Sequence, residues 1–271
     1  MTTLTSADGT TIGYETVGSG PVVILVDGAM CFRDAGPMRP IADRLADRFT
    51  VVLYDRRGRG ASTDTAPFAV EREIEDIDAL ISAVGSPVVG LGISSGAMLL
   101  LRAAAALGRE RIAGIALYEP PLMPEAARSG AAAYTAELTA ALARGDQEGA
   151  VELFVRRVGM PEQAIAGMRG TPMWAGMVRI APTLAYDDAA MGDSGVPDAL
   201  VHALRTPTLT LAGGASPDFL RFGAQALADA ILDAQFAVVE GQTHDVDAAA
   251  IDLHLRRFFE NAGAAAADRR G

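Results

Sequence analysis

Short apolar runs alternate with segments of helical spacing through the first half of the chain. Residues 21–26 (Pro-Val-Val-Ile-Leu-Val) are a continuous apolar run, the pattern of a strand buried on both faces of a parallel sheet, and 49–54 read as a second buried strand. Residues 10–17 follow an Asp8-Gly9 turn signal and are expected to pair with 2–5 as a hairpin. Helical spacing marks 38–46. Between 70 and 84 the apolar residues fall at 70, 74, 77, 81 and 84, with Glu71, Arg72, Glu73, Glu75, Asp76 and Asp78 on the other face, which predicts a helix. A strand at 87–92, a helix at 95–107 and a strand at 112–118 follow, and strand and helix alternate again over 207–212, 219–231, 235–239 and 246–259. This alternation predicts an α/β domain with a mostly parallel eight-stranded sheet covered by helices on both faces.

Residues 124–205 break the rhythm. They carry helical patterns at 131–143, 147–158, 161–168 and 173–180 and no convincing strand. The expected organisation is a core of 1–123 and 206–262 with an all-helical insertion, 124–205, after the sixth strand. No repeat or low-complexity linker separates the two, so the insertion is expected to pack on the core. The Ala-rich tail, 263–271, reads as disordered.

Composition narrows the chemistry. Of 271 residues, 50% are hydrophobic and 21% charged, enough for a sizeable core. A net charge of −11 argues against a nucleic-acid partner. All 23 basic residues are arginine, which excludes Schiff-base lysine chemistry, a pyridoxal anchor and a P-loop lysine. The lone cysteine, Cys31, excludes an internal disulfide and reads as core filler. The three histidines form no zinc-like cluster with it, so no metal or cofactor is expected. The N-terminus has no signal-peptide pattern, and no apolar run approaches the ~18–20 residues of a membrane span. The expectation is a cytoplasmic protein acting on a small molecule, with no membrane partner.

Gly92-Ile93-Ser94-Ser95-Gly96 lies between a predicted strand and a predicted helix, the setting of a nucleophile elbow. The sharp turn would lift the Ser94 hydroxyl above the strand end, and the amide of Ser95 would face a developing oxyanion at the helix N-terminus. Serine needs a base. His244, in Gly241-Gln242-Thr243-His244-Asp245, falls between the last strand and the last helix, where open α/β sheets bind ligands. His202 lies in the insertion and His254 mid-helix, both poorer placements. A competing reading is dinucleotide binding, since Gly90, Gly92 and Gly96 open a helix after a strand and Glu119 ends the next strand. It leaves His244 unexplained.

Over nearly its whole length the chain resembles the α/β-hydrolase fold family. The resemblance rests on the elbow around Ser94, on Tyr54-Asp55-Arg56-Arg57-Gly58-Arg59-Gly60-Ala61-Ser62, similar to the family's D-x-R-G-x-G-x-S loop, and on Gln242-Thr243-His244-Asp245. It implies that the insertion is a cap, that Arg56, Arg57 and Arg59 stabilise a turn or are solvated, and that Ala29 supplies a second oxyanion amide. Two positions depart from the family. The oxyanion loop reads Val26-Asp27-Gly28-Ala29, with Asp27 in place of the usual histidine. Beyond the seventh strand Ser216 stands where the acid is expected, with Asp218 two residues late. Glu119, at the position used by relatives such as haloalkane dehalogenases, is the favoured acid and Asp218 the alternative.

The resemblance therefore implies a serine hydrolase with Ser94, His244 and Glu119 as catalytic residues and the amides of Ala29 and Ser95 as oxyanion donors. Asp27, Met30, Met173, Trp174 and Met177 are expected to line the substrate pocket. Asp27 has three readings: turned toward backbone donors, protonated, or a second acid/base. The alternative that Asp27 supports is a cofactor-free cyclase, lyase or isomerase on the same fold, or a ligand-binding relative that has lost activity.

Overall fold

The computed structural model describes residues 2–268. The predicted hairpin forms from β1 (Thr2–Thr5) and β2 (Thr11–Gly18). The apolar runs become β3 (Val22–Val26) and β4 (Thr50–Tyr54), joined by α1 (Met38–Leu45). Then follow α2 (Val70–Val84), β5 (Val88–Ile93), α3 (Ser95–Leu107) and β6 (Ile112–Tyr118). After the insertion come β7 (Thr208–Gly213), α10 (Asp218–Ala230), β8 (Gln235–Val239) and α11 (Ala248–Asp268).

These strands make one eight-stranded sheet in the order β1-β2-β4-β3-β5-β6-β7-β8. β1 and β2 run antiparallel to their neighbours and every later pairing is parallel. Strand periodicity divides the core. Ile24, Val52, Ile115 and Leu117 pack with α2 and α3 on one face, while Val23, Val51, Leu91 and Ala116 pack with α1 and α11 on the other.

The insertion contains α4 (Arg128–Ala143), α5 (Gln147–Arg157), α6 (Glu162–Met168), α7 (Pro172–Ile180), α8 (Leu184–Met191) and α9 (Asp198–Ala203). It has a core of its own around Leu138, Val151, Val155, Ile165, Trp174 and Leu184. Ala29 and Met30 pack against that core, so the insertion sits as a cap over the C-terminal end of the sheet. The sequence pattern did not reveal α8 or α9. The buried face of α8 comprises Leu184, Asp187 and Ala190, and a carboxylate on that face erases the amphipathic signal.

Two expectations need correction. The tail is not frayed from 263: α11 continues to Asp268, with Ala262 and Ala266 buried one turn apart. Alanine is the strongest helix former, and its small side chain lets the helix lie close over Gly114 of β6. Residues 269–271 lie outside the described residues. Of the two readings of the arginines in the Asp55–Ser62 loop, turn-stabilising or solvated, the solvated one does not hold. Arg56, Arg57 and Arg59 are all fully buried, and Glu73 and Asp76 on the polar face of α2 are buried with them. Arg57 forks onto Asp76 at 2.8 and 2.9 Å and onto Asp8 at 2.8 Å, while Arg56 forks onto Glu73 at 2.7 and 2.9 Å.

Candidate active site

Register places the candidate residues together. Val26 of β3 lies opposite Gly92 of β5, Ile93 lies opposite Tyr118 of β6, and Tyr118 lies opposite Leu211 of β7. The residues that follow these strand ends therefore emerge level with one another: Asp27-Gly28-Ala29, Ser94 and Glu119.

Ser94 occupies the apex of the strand-to-helix turn with φ 58° and ψ −127°, a conformation that L-residues rarely adopt. Two glycines let the turn close. A Cβ on Gly96 would stand 2.3 Å from the Val26 carbonyl, and one on Gly92 would stand 2.5 Å from the Gly96 carbonyl. The Ser94 amide is tied to the Tyr118 carbonyl at 3.0 Å.

Glu119 is itself in the left-handed region, at φ 46°, directly before Pro120. Its amide bonds the Leu211 carbonyl at 2.9 Å and its side chain is fully buried, at 0% exposure. Oε1 accepts the Gly213 amide at 2.7 Å, and Oε2 lies 2.6 Å from Nδ1 of His244. With Nδ1 as donor, Nε2 is the ring nitrogen left free. The imidazole is 41% exposed and its loop is held by the Tyr118 hydroxyl, which donates to the Thr243 carbonyl at 2.5 Å. Asp218, the alternative acid, is 94% exposed and pairs with Arg221. The Glu119 carboxylate is engaged by Gly213 and His244, which leaves it no ribose-binding role. His202 bonds the Asp198 carbonyl within α9, and His254 lies on α11.

Ser94, Ser95, Ala29 and His244 all line one cavity of about 540 Å³ between the sheet and the cap. Its apolar wall includes Met123, Phe154, Leu184, Met191, Phe219 and Leu220. The expected pocket residues are placed otherwise. Trp174 is buried inside the cap's own core, Met177 and Met30 pack against that core, and Met173 is 68% exposed. None of these lines the cavity, nor does Asp27. Helical spacing alone does not distinguish the cap's inner core from its lower surface: of the large residues of α7, Trp174 and Met177 went to the former and Met173 to solvent.

Asp27, in the loop after β3, is buried with Oδ1 unpartnered, and a Cβ on Gly36 would stand 3.0 Å from that oxygen. Burial pushes its carboxyl up to about 7; the nearby Arg59 and Arg56 oppose the shift and Asp55 adds to it. Burial likewise pushes the Cys31 thiol up to about 12, so it is no nucleophile at neutral pH. Among the described residues, no group of three or more His, Cys, Asp or Glu side chains is arranged to hold a metal ion. No helix among them is long and apolar enough to cross a membrane.

One residue escaped the sequence reading. Asp187 of α8 is among the residues that line the cavity and is buried. Its Oδ1 accepts from Arg56 Nη1 at 2.6 Å and from the Ser95 hydroxyl at 2.7 Å, and its Oδ2 accepts from Arg59 Nη2 at 2.5 Å. Burial alone would raise its pKa, but Arg59, Arg56 and the Ser95 hydroxyl together hold the carboxyl below the usual range. The available signal was indirect: arginines 56 and 59, in a loop tied to buried strands, required buried carboxylates.

Comparison with known proteins places this geometry. The model of the alpha/beta hydrolase family matches residues 20–257. An alpha/beta hydrolase from Sphaerobacter thermophilus DSM 20745, known from its crystal structure, is 45% identical. The match covers 95% of this chain and 100% of that one, with a TM-score of 0.83. Uncharacterized hydrolase YraK of Bacillus subtilis (strain 168) is 36% identical over 95 residues, 34% of each chain. Pimeloyl-[acyl-carrier protein] methyl ester esterase of Stenotrophomonas maltophilia (strain R551-3) is 36% identical over 98 residues, 36% of each chain. The matched region thus spans about a third of the length of these curated relatives. With the family model covering most of the chain and a relative aligned over nearly all of it, the protein belongs to the alpha/beta hydrolase family.

Proposed function

We propose that the protein is a serine hydrolase that cleaves a carboxylic ester, lactone or thioester of a medium-sized apolar substrate through an acyl-enzyme. The observation that carries this reading is that the elbow serine and His244, backed by the buried Glu119, face one capped, largely apolar cavity. Ser94 Oγ attacks the carbonyl carbon while His244 Nε2 takes its proton, and Glu119 keeps Nδ1 as the donor. The amides of Ala29 and Ser95 hold the oxyanion of the tetrahedral intermediate. Collapse expels the alcohol or thiol, which leaves with the proton from Nε2. Water then attacks the acyl-enzyme with His244 again as base, releasing the acid and restoring Ser94.

A cavity of about 540 Å³ suits a substrate of modest size. The partial similarity to an esterase of Stenotrophomonas maltophilia supports an ester as the first class to try. We place this work in the cytoplasm, on a small molecule and without nucleic-acid or membrane partners, on the net charge of −11 and the lone cysteine. Asp27, on which the non-hydrolytic alternative rested, is buried and is not among the residues that line the cavity, which favours the hydrolytic reading.

The test is intact-mass measurement after an organophosphorus serine probe, followed by a panel of p-nitrophenyl esters and lactones. One adduct per chain, absent in Ser94→Ala together with turnover, is the expected result. Labelling that persists in Ser94→Ala overturns the assignment.

A further inference from the structure

We propose that Asp187 is a positioning residue that builds both halves of the oxyanion hole from the cap, an inference that rests on the serine-hydrolase reading above. The Asp187 carboxylate binds two guanidiniums, and both of them reach on to the oxyanion loop. Arg59 Nη1 donates to the Gly28 carbonyl at 2.7 Å and to the Cys31 carbonyl at 3.3 Å, while Arg56 Nη1 donates to the Asp27 carbonyl at 3.2 Å. The Gly28 carbonyl and the Ala29 N–H belong to one planar trans peptide and point in opposite directions. Fixing Gly28 O on the buried side therefore aims the Ala29 N–H at the cavity that Ala29 lines. A cationic donor on that carbonyl also polarises the same peptide and strengthens its N–H as a donor.

The other oxyanion amide belongs to Ser95, the first residue of α3. The Ser95 hydroxyl donates to Asp187 at 2.7 Å, which pins this residue at the helix N-terminus. One carboxylate thus joins the loop after β3, the turn after β5 and the cap helix α8. Arg56 and Arg59 are themselves fixed by Glu73 and by the Thr183 hydroxyl, so the hub is buried and held on every side. Its negative charge does not oppose the oxyanion, because two guanidiniums lie against it. The cap is on this account a structural member of the oxyanion hole and not only a lid.

The test compares wild type, Asp187→Asn and Ser95→Ala, with Ser94→Ala as reference. Turnover of p-nitrophenyl butyrate, inhibition by the matching trifluoromethyl ketone and binding of the matching carboxamide are measured. Far-UV circular dichroism monitors folding. Deleting an oxyanion donor outright costs ~10²–10³ in kcat, and misaiming donors that remain present should cost about 10- to 100-fold. Asp187→Asn should lower kcat by that factor and weaken the trifluoromethyl ketone equally, while KM and carboxamide binding stay within about twofold. Ser95→Ala, which breaks one contact of the hub and keeps the amide, should show the same signature at smaller size. It carries the test by itself if Asp187→Asn does not fold. Unchanged kcat in the folded variants, or parallel losses in KM and carboxamide binding, overturn the proposal and leave Asp187 as a cap anchor. Turnover retained by Ser94→Ala instead overturns the serine-hydrolase reading.

Discussion

The hydroxyl of Tyr118 donates to the carbonyl of Thr243 at 2.5 Å, one residue before Glu119 on one side and one residue before His244 on the other. Tyr118 and Glu119, at and just after the end of β6, therefore grip two consecutive residues of the loop after β8. The outer contact fixes the backbone and the inner one, Glu119 to His244, fixes the ring. Tyr118→Phe should keep the fold, lower stability by about 1 kcal/mol and reduce kcat modestly with KM unchanged. Denaturant melts and steady-state kinetics check both parts, and an unchanged kcat would show that the inner contact orients the ring unaided.

Glu119→Gln replaces the acceptor that keeps His244 Nδ1 as donor. In the serine-protease triad the corresponding change costs ~10⁴ in kcat, and a loss of several orders of magnitude is expected here. Asp218→Asn, altering an exposed side chain, should leave kcat within about twofold. Measured side by side, the reverse ranking would move the acid to Asp218.

The buried carboxyl of Asp27 gives stability a pH dependence of unusual sign. With its pKa pushed up to about 7, it holds a proton in the folded state that an exposed aspartate releases near pH 4. The unfolded chain loses that proton first, so this residue makes the fold progressively less stable as pH rises from about 4 to about 7. Asp27→Asn should therefore shrink the fall in unfolding free energy between pH 5 and pH 8 by up to about 3 kcal/mol. Urea titrations at the two pH values read the difference, and equal falls in both proteins would mean that Asp27 is ionised throughout.

Cavity and cap core predict different outcomes for neighbouring large residues. Met191→Ala enlarges the cavity and should extend the range of p-nitrophenyl acyl chains accepted, with little loss of stability relative to a core deletion. Trp174→Ala removes the largest side chain of the cap's core and should cost about 3–5 kcal/mol. Met173→Ala, at an exposed position, should change neither. A chain-length profile that shifts on Met173→Ala instead would place that residue on the substrate path.

Much of the fold was legible because strand and helix periods are local. The run at 21–26 and the spacing from 70 to 84 each encode an element within a few residues, and observed and expected bounds agree there to within a residue. The elbow was legible from a slightly wider window: two glycines and a serine in five residues are common in turns, and the buried strand before them and the Ala/Leu-rich helix after them marked this one. Less was legible where a residue's meaning depends on a distant partner. Glu73 and Asp76 look like part of a solvated face until Arg56 and Arg57 arrive from another loop to pair with them. The alanines after 261 look like a tail until α11 is laid over Gly114. Asp187 carries no local signal at all, and it matters only because α8 folds down onto the arginines after β4 and the serine after β5. Sequence alone determined the elements of the sheet-bearing core, their order and the elbow, since those follow from contacts between near neighbours. Which carboxylate meets which cation, and which apolar residues face a cavity rather than a core, only the tertiary structure decided, because burial and ion pairing are properties of segments brought together from far apart in the chain.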